Sequence, residues 1–171
     1  HRLIRRTRKL GAMSEGHLRK IMAVYLGMVS YVDYLFGEFL KALEESGQAE
    51  NTCVIFFADH GDWAGDYGLV EKWSSALDDV ITRIPMVVRL PGGSAGHVVD
   101  TPVEMFDILP TVLELAGVEA RHVHAACSLT PQLRGAPGDA ERAAFAEGGY
   151  DSHEPHCFEG HAGGDLMGRQ I

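Results

Sequence analysis

The chain has 171 residues, 46% hydrophobic and 23% charged, a balance that suits one globular domain. With 24 acidic against 15 basic side chains the formal net charge is -9, so the surface as a whole does not attract nucleic acid or an anionic membrane. No apolar run approaches the roughly 18 residues that a membrane helix needs. The three cysteines, Cys53, Cys127 and Cys157, include no C-x-x-C pair, which argues against a disulfide framework or a Cys-rich zinc module.

Residues 1–13 read as a basic lead-in, HRLIRRTRKL followed by Gly-Ala-Met, with poor periodicity and no interleaved aromatic groups. Ser14 then suits a helix N-cap, with Glu15 favourable in the first turn. Leu18, Ile21, Tyr25, Val29, Val32, Phe36, Phe39, Leu40 and Leu43 recur at helical spacing, and Gly47 suits the position after the helix. The spacing predicts a helix of about 30 residues, roughly 45 Å long. Such a length suits a helix lying along a sheet larger than this chain can build. Asp33 interrupts the apolar stripe and is expected to be a satisfied buried carboxylate.

Residues 52–58, TCVIFFA, predict a strand buried on both faces, with Cys53 as a small buried hydrophobe at its start. Helix followed by buried strand reads as an α/β unit. A glycine-rich loop then runs from Asp59 to Lys72. Residues 84–90, IPMVVRL, predict a second strand, ended by Pro91 and two glycines. Residues 102–117 predict a helix with Pro102 near its start, Gly117 at its end and Pro110 as a possible kink. Residues 143–147, AAFAE, predict a third strand, and residues 151–171 a loop-like tail rich in Gly and His.

The loop, ADHGDWAGDYGLVEK over residues 58–72, carries the chemistry. Charged groups placed where a buried strand stops point to a site. The Asp59 carboxylate is a hard oxygen ligand for a divalent cation, and the imidazole of His60 can join a mixed site. Gly61, Gly65 and Gly68 let the backbone close on a small ligand. Lys72, thirteen positions after Asp59, is far enough along for the loop to fold back and face a bound anion. Residue by residue, a polar surface loop is the plainer reading; the whole pattern D-H-G-D-x-x-G-D-x-G-L-x-x-K shifts the balance.

That pattern resembles the metal- and sulfate-binding loop of the sulfatases, in the alkaline phosphatase superfamily. Four further segments resemble the family in order. They are Tyr25 to Asp33 with Gly37 before the loop, Arg83-Ile-Pro-Met-Val-Val after it, and residues 102–117 followed by Ser128 to Gly135. The resemblance covers roughly residues 18–150 and implies that residues 14–150 are the rear part of a catalytic domain. The implied fold is α/β, a three-layer αβα arrangement with a largely parallel mixed sheet, here incomplete. It also implies that Asp59 and His60 are the second pair of metal ligands, the cation being Ca²⁺ with Mg²⁺ or Mn²⁺ as alternatives. Many members carry Asn where His60 stands. Lys72 corresponds to the lysine that contacts the sulfate group and the leaving-group oxygen of a small-molecule or glycan sulfate ester. Asp62, Asp66 and Glu71 are not ligands in the family pattern and read as solvating charges. Trp63, Tyr67 and Trp73 are divided between lining a cleft and packing the loop.

Sulfatases use a formylglycine made from the Cys or Ser of a C/S-x-P-x-R segment. No such segment follows Cys53, Cys127 or Cys157, and the family's first pair of metal aspartates is also missing, since Asp78-Asp79 does not match its setting. The chain is therefore expected to be a piece of a longer reading frame, with the formylglycine upstream, poorly soluble by itself because its sheet has lost strands. Two rivals stand beside this: a phosphonate or phosphate ester hydrolase of the same superfamily, and a non-catalytic remnant that binds a metal or a partner. His153, His156, Cys157 and His161 could serve the second rival as a zinc site, while His122 and His124 read as exposed loop residues.

Overall fold

The computed structural model describes residues 2–72 and 76–146. In chain order it contains α1 (Arg2–Thr7), α2 (Glu15–Glu45), β1 (Val54–Phe57), α3 (Asp79–Thr82), β2 (Met86–Arg89), α4 (Ile108–Leu115) and α5 (Thr130–Leu133), with short 3-10 turns between them. Among the described residues these elements fall into two compact units, one built from residues 2–45, 60–72, 76–85 and 146, the other from 46–59 and 86–145.

In the first unit the basic lead-in is not irregular: Arg2–Thr7 is helical and a 3-10 turn follows at Leu10–Ala12. The long helix forms as its spacing predicts. Ser14 Oγ accepts the backbone N–H of His17, and the N–H of Ser14 is donated back to His17 Nδ1. This is a reciprocal cap, with an imidazole in the place usually taken by Glu or Gln. Gly47, at φ 71°, takes the left-handed conformation just beyond the helix end. No residue of α2 is buried. Val24, Met28, Tyr31, Val32, Leu35 and Phe39 are each about half or more exposed, and Asp33 is exposed as well. Asp33 is thus a solvated carboxylate and not the buried one expected, because no strand of this unit covers the helix among the described residues.

The buried centre of this unit lies under the loop. Trp63, Leu69 and Ile81 are 1%, 0% and 6% exposed and pack with Leu10, Ala76 and Val80. Trp63 is therefore a packing residue and does not line a cleft. Its ring meets that of Tyr67 edge-on at 5.7 Å. Backbone bonds fold the loop over this centre: Trp63 N–H to Glu71 O at 3.1 Å, Gly65 N–H to Leu69 O at 2.8 Å and Gly61 N–H to Ile81 O at 2.8 Å. Such tight folding needs left-handed backbone at Ala64, Gly65, Tyr67, Gly68 and Glu71. Asp62 is more than a solvating charge, since its Oδ1 accepts the N–H of Ala64 at 2.7 Å and sets the first turn.

In the second unit β1 and β2 pair antiparallel, Val54 opposite Arg89 and Phe57 opposite Met86. This ladder is the antiparallel pair that a mixed sheet allows, and the described residues hold no parallel pair beside it. Nor is β1 covered on both faces: Val54 is buried but Phe57 is 39% exposed, because a two-stranded ladder cannot supply two covering layers. The helix expected from Pro102 starts later, as a 3-10 turn at Met105–Asp107 running into α4. Pro110 lies in the first turn of α4, where its missing N–H costs no hydrogen bond, so it does not kink the helix. Gly117, at φ 67°, ends it as expected.

The third strand expected over residues 143–147 does not form in its described part, because a side chain takes the backbone donor there. Glu104 Oε1 accepts the N–H of Phe145 at 3.0 Å. The same region converges on Asp107, which is fully buried. Its carboxylate accepts from Arg142 at 2.7 and 2.8 Å, from the N–H of Glu104 at 2.8 Å and from the N–H of Cys127 at 2.9 Å. Burial by itself would push the Asp107 pKa up, but Arg142 and the two backbone donors outweigh it and hold the pKa below the usual carboxylate value.

Two outcomes are expected. A Cβ at Gly61 would stand 1.8 Å from the Val80 carbonyl oxygen, inside backbone and not side chain. Gly61→Ala should therefore lower the denaturation midpoint by the equivalent of about 1–3 kcal/mol. Removing one partner of a buried pair is costly, so Arg142→Ala should destabilise by about 3 kcal/mol. The lowered Asp107 pKa contributes stability that is complete above the unfolded value of about 3.9 and is lost as pH falls through the folded value. Melting of the parent chain should drop below about pH 4, and Arg142→Ala should flatten that drop.

Candidate functional site

The strand-to-loop junction places the candidate residues. Asp59 is exposed and closes the second unit two residues beyond β1; His60 follows it across one peptide bond and opens the loop segment of the first unit. The bond between Gly61 and Ile81 anchors the loop immediately after His60.

His60 is half-buried and held at both ring nitrogens. Nδ1 lies 2.7 Å from the carbonyl oxygen of Gly61, and Nε2 lies 2.6 Å from the Nζ of Lys72. A carbonyl only accepts, so Nδ1 carries the proton; an ammonium only donates, so Nε2 presents its lone pair. Both partners require the same neutral tautomer. In that tautomer Nε2 is the ring's one ligating atom, and in this structure its lone pair accepts from the Lys72 ammonium. The loop thus folds back as its length predicts and brings His60 and Lys72 together.

One carboxylate and one imidazole are a partial donor set for a hard cation, whose shell holds roughly six to eight oxygens. Among the described residues no cluster of three or more His, Cys, Asp or Glu side chains adds to them. These residues therefore do not complete a cation site by themselves. Asp66 and Glu71 remain exposed, as expected of solvating charges.

Neither described cysteine offers a nucleophile at this place. Cys53 stands one residue before β1, and burial pushes its thiol pKa up, away from the reactive thiolate. Cys127 belongs to the second unit, where its N–H serves Asp107. His122 and His124 are exposed, but they also line an apolar groove of about 800 Å³ in the second unit with Met105, Phe106 and Leu109. The proposed zinc residues His153, His156, Cys157 and His161, and Trp73, lie outside the described residues.

Two groupings were not foreseen from the sequence. The Asp107 network carries a legible signal: Glu104 and Asp107 stand at capping-box spacing ahead of a helix. The other joins Arg5 to Gly68. The guanidinium of Arg5 lies 3.1 to 3.4 Å from where a Cβ of Gly68 would be. Nothing in the basic lead-in announces that contact.

Comparison with known proteins follows the same lines. The sulfatase family model matches residues 2–118. A sulfatase of Formosa agariphila is 36% identical over 142 residues, which is 83% of this chain and 28% of that protein. The structure superposes on the phosphonate monoester hydrolase of Silicibacter pomeroyi with a TM-score of 0.73 and 31% identity, over 80% of this chain and 27% of that one. It superposes on BT4656, solved with its substrate D-glucosamine-2-N,6-O-disulfate, with a TM-score of 0.66 and 29% identity, over 75% of this chain and 26% of that one. The chain thus spans about a quarter of the length of these relatives. Its fold is an incomplete α/β arrangement of the alkaline phosphatase type, and the chain belongs to the sulfatase family.

Proposed function

We propose that this chain is the loop-bearing rear part of a sulfatase catalytic domain, and that the complete protein hydrolyses sulfate esters. The observation that carries the reading is the convergence of Lys72 Nζ and His60 Nε2 within the folded-back loop. In this reading Asp59 and His60 are two ligands of a divalent cation, most simply Ca²⁺, and the other donors and the formylglycine lie outside the 171 residues. A bound cation would supply electrostatic stabilisation of the anionic ester. Lys72 directs its ammonium at the sulfate and at the oxygen on which charge develops as the ester bond breaks. Gly61 O holds the Nδ1 proton of His60 and keeps Nε2 turned to the site. Local cations thus overcome the net charge of -9 at one point of the surface. Substrates are sulfate esters of small molecules or glycans, and neither nucleic acid nor a membrane belongs to this reading. In domain terms residues 14–150 form the catalytic part, after a lead-in at 1–13 and before a tail at 151–171.

A specific observation favours a second reading within the superfamily. Two phosphonate monoester hydrolases superpose with TM-scores of 0.73 and 0.72, above the 0.66 of BT4656. Phosphonate monoester hydrolysis is therefore the alternative.

The complete reading frame should release nitrophenol from an aryl sulfate faster than from an aryl phosphonate monoester. Lys72→Ala should lower that kcat by about 10²–10³, and chelation should abolish it. The reverse preference moves the assignment to phosphonates. The 171-residue chain without its upstream part should give no turnover; measurable turnover would remove the need for the formylglycine.

A further inference from the structure

The first nine residues oppose the charge of the rest of the chain. Five of its 15 basic side chains fall between Arg2 and Lys9, and the first acidic residue is Glu15. Coiled, these charges would be dispersed and screened. The helix α1 and the 3-10 turn after it gather them instead. Arg2, Arg5, Arg6 and Lys9 line one concavity of about 420 Å³, with Gly11 and Ala12 leaving its wall free of bulky side chains.

This concavity is tied to the candidate loop. The guanidinium of Arg5 lies beside Gly68, four residues before Lys72, within the same unit. Gly68 has a φ of 69°, so a side chain there would be strained as well as crowded by Arg5. Arg5 is thus the one residue that both lines the concavity and neighbours the loop that carries His60 and Lys72.

We infer that Arg2, Arg5, Arg6 and Lys9 form a second anion subsite, which takes a further sulfate group of a multiply sulfated glycan. The inference rests on the sulfate-ester reading for the ligand class, but its geometry does not depend on catalysis. Guanidinium groups suit planar, paired hydrogen bonding to tetrahedral oxyanions. Three arginines around one space hold several oxygens at once. A monosulfated ester would use Lys72 alone, whereas a polysulfated chain engages both places and gains by their linkage. An oligonucleotide spaces one charge per phosphodiester along its backbone, whereas a polysulfated glycan clusters several sulfate groups on each disaccharide, as converging guanidinium groups require.

The test is binding by the full 171-residue chain, read by fluorescence polarisation of a labelled, fully sulfated heparin tetrasaccharide at low and at physiological salt. A single-stranded oligodeoxynucleotide of equal charge serves as control. The tetrasaccharide should bind more tightly than the oligonucleotide, and its affinity should fall as salt rises. The triple variant Arg2→Ala, Arg5→Ala, Lys9→Ala should lose about tenfold in affinity, some 1.4 kcal/mol. Lys72→Ala should also weaken binding, because the linkage of the two places is lost, but by less than the triple variant does. Unchanged affinity in the triple variant, or equal binding of the oligonucleotide, overturns the subsite. Should the triple variant lose helix content, phenylglyoxal footprinting of the parent chain decides instead. Protection of Arg2 and Arg5 by the tetrasaccharide supports the subsite, and undiminished modification refutes it. Failure of aryl sulfate turnover in the complete protein would remove the hydrolytic reading and leave these binding results standing.

Discussion

Packing of Trp63 and Leu69 beneath the segment from Gly61 to Lys72 is the constraint on which the rest of the site depends. That segment is rich in glycine and charge and has little local preference for any one shape. Its order comes from two large apolar side chains that it buries under itself with Ile81. Once they are seated, the backbone must pass through several left-handed positions to close over them. Conformational strain of that kind persists only where surrounding packing over-determines it. The return is geometric: His60 and Lys72, twelve positions apart, meet within hydrogen-bond distance.

The legible parts of this fold are those whose cause is local. The cap at Ser14, the run of helical spacing behind it and the stop at Gly47 all act within a few residues, and α2 forms as they dictate. The strand cores at residues 54–57 and 86–89 likewise follow from β-branched and aromatic runs. The return of the loop was legible because a pattern of residues, not a composition, carries it. What stayed hidden is long-range. Whether β1 is covered on one face or two depends on strands it meets, and the sign of its pairing depends on where the chain turns between Phe57 and Met86. Residues 143–146 have the composition of a strand, but their backbone is claimed by Glu104, about forty positions earlier. The role of Trp63 also depended on tertiary context, since an indole at a loop tip packs or recognises according to what lies behind it.

Two networks divide the labour of ordering. In the second unit Asp107 gathers Glu104, Cys127 and Arg142 around one buried carboxylate. The desolvation of that carboxylate is offset by three partners, which fits the general rule that a buried charge survives only when fully satisfied. In the first unit the ordering is apolar, and the charges are left at the rim. A site that must receive an anion benefits from this second arrangement, because the Lys72 ammonium stays exposed and its partner among the described residues is the imidazole of His60, not a carboxylate.

The uncovered face of α2 has a thermodynamic consequence. Denaturant sensitivity and the heat capacity of unfolding both scale with surface newly exposed to water. Val24, Tyr31, Val32 and Phe39 already meet water in the folded chain, so melting this helix adds little to either quantity. Its 31 residues are held largely by local terms, the backbone ladder, the Ser14 cap and the Glu15–Arg19 pair, beside the half-buried stripe that includes Leu18, Ile21 and Tyr25. The cooperative step of unfolding therefore belongs to the Trp63 centre and to the Asp107 network. The longest element of the protein, which dominates its helical signal, reports on neither.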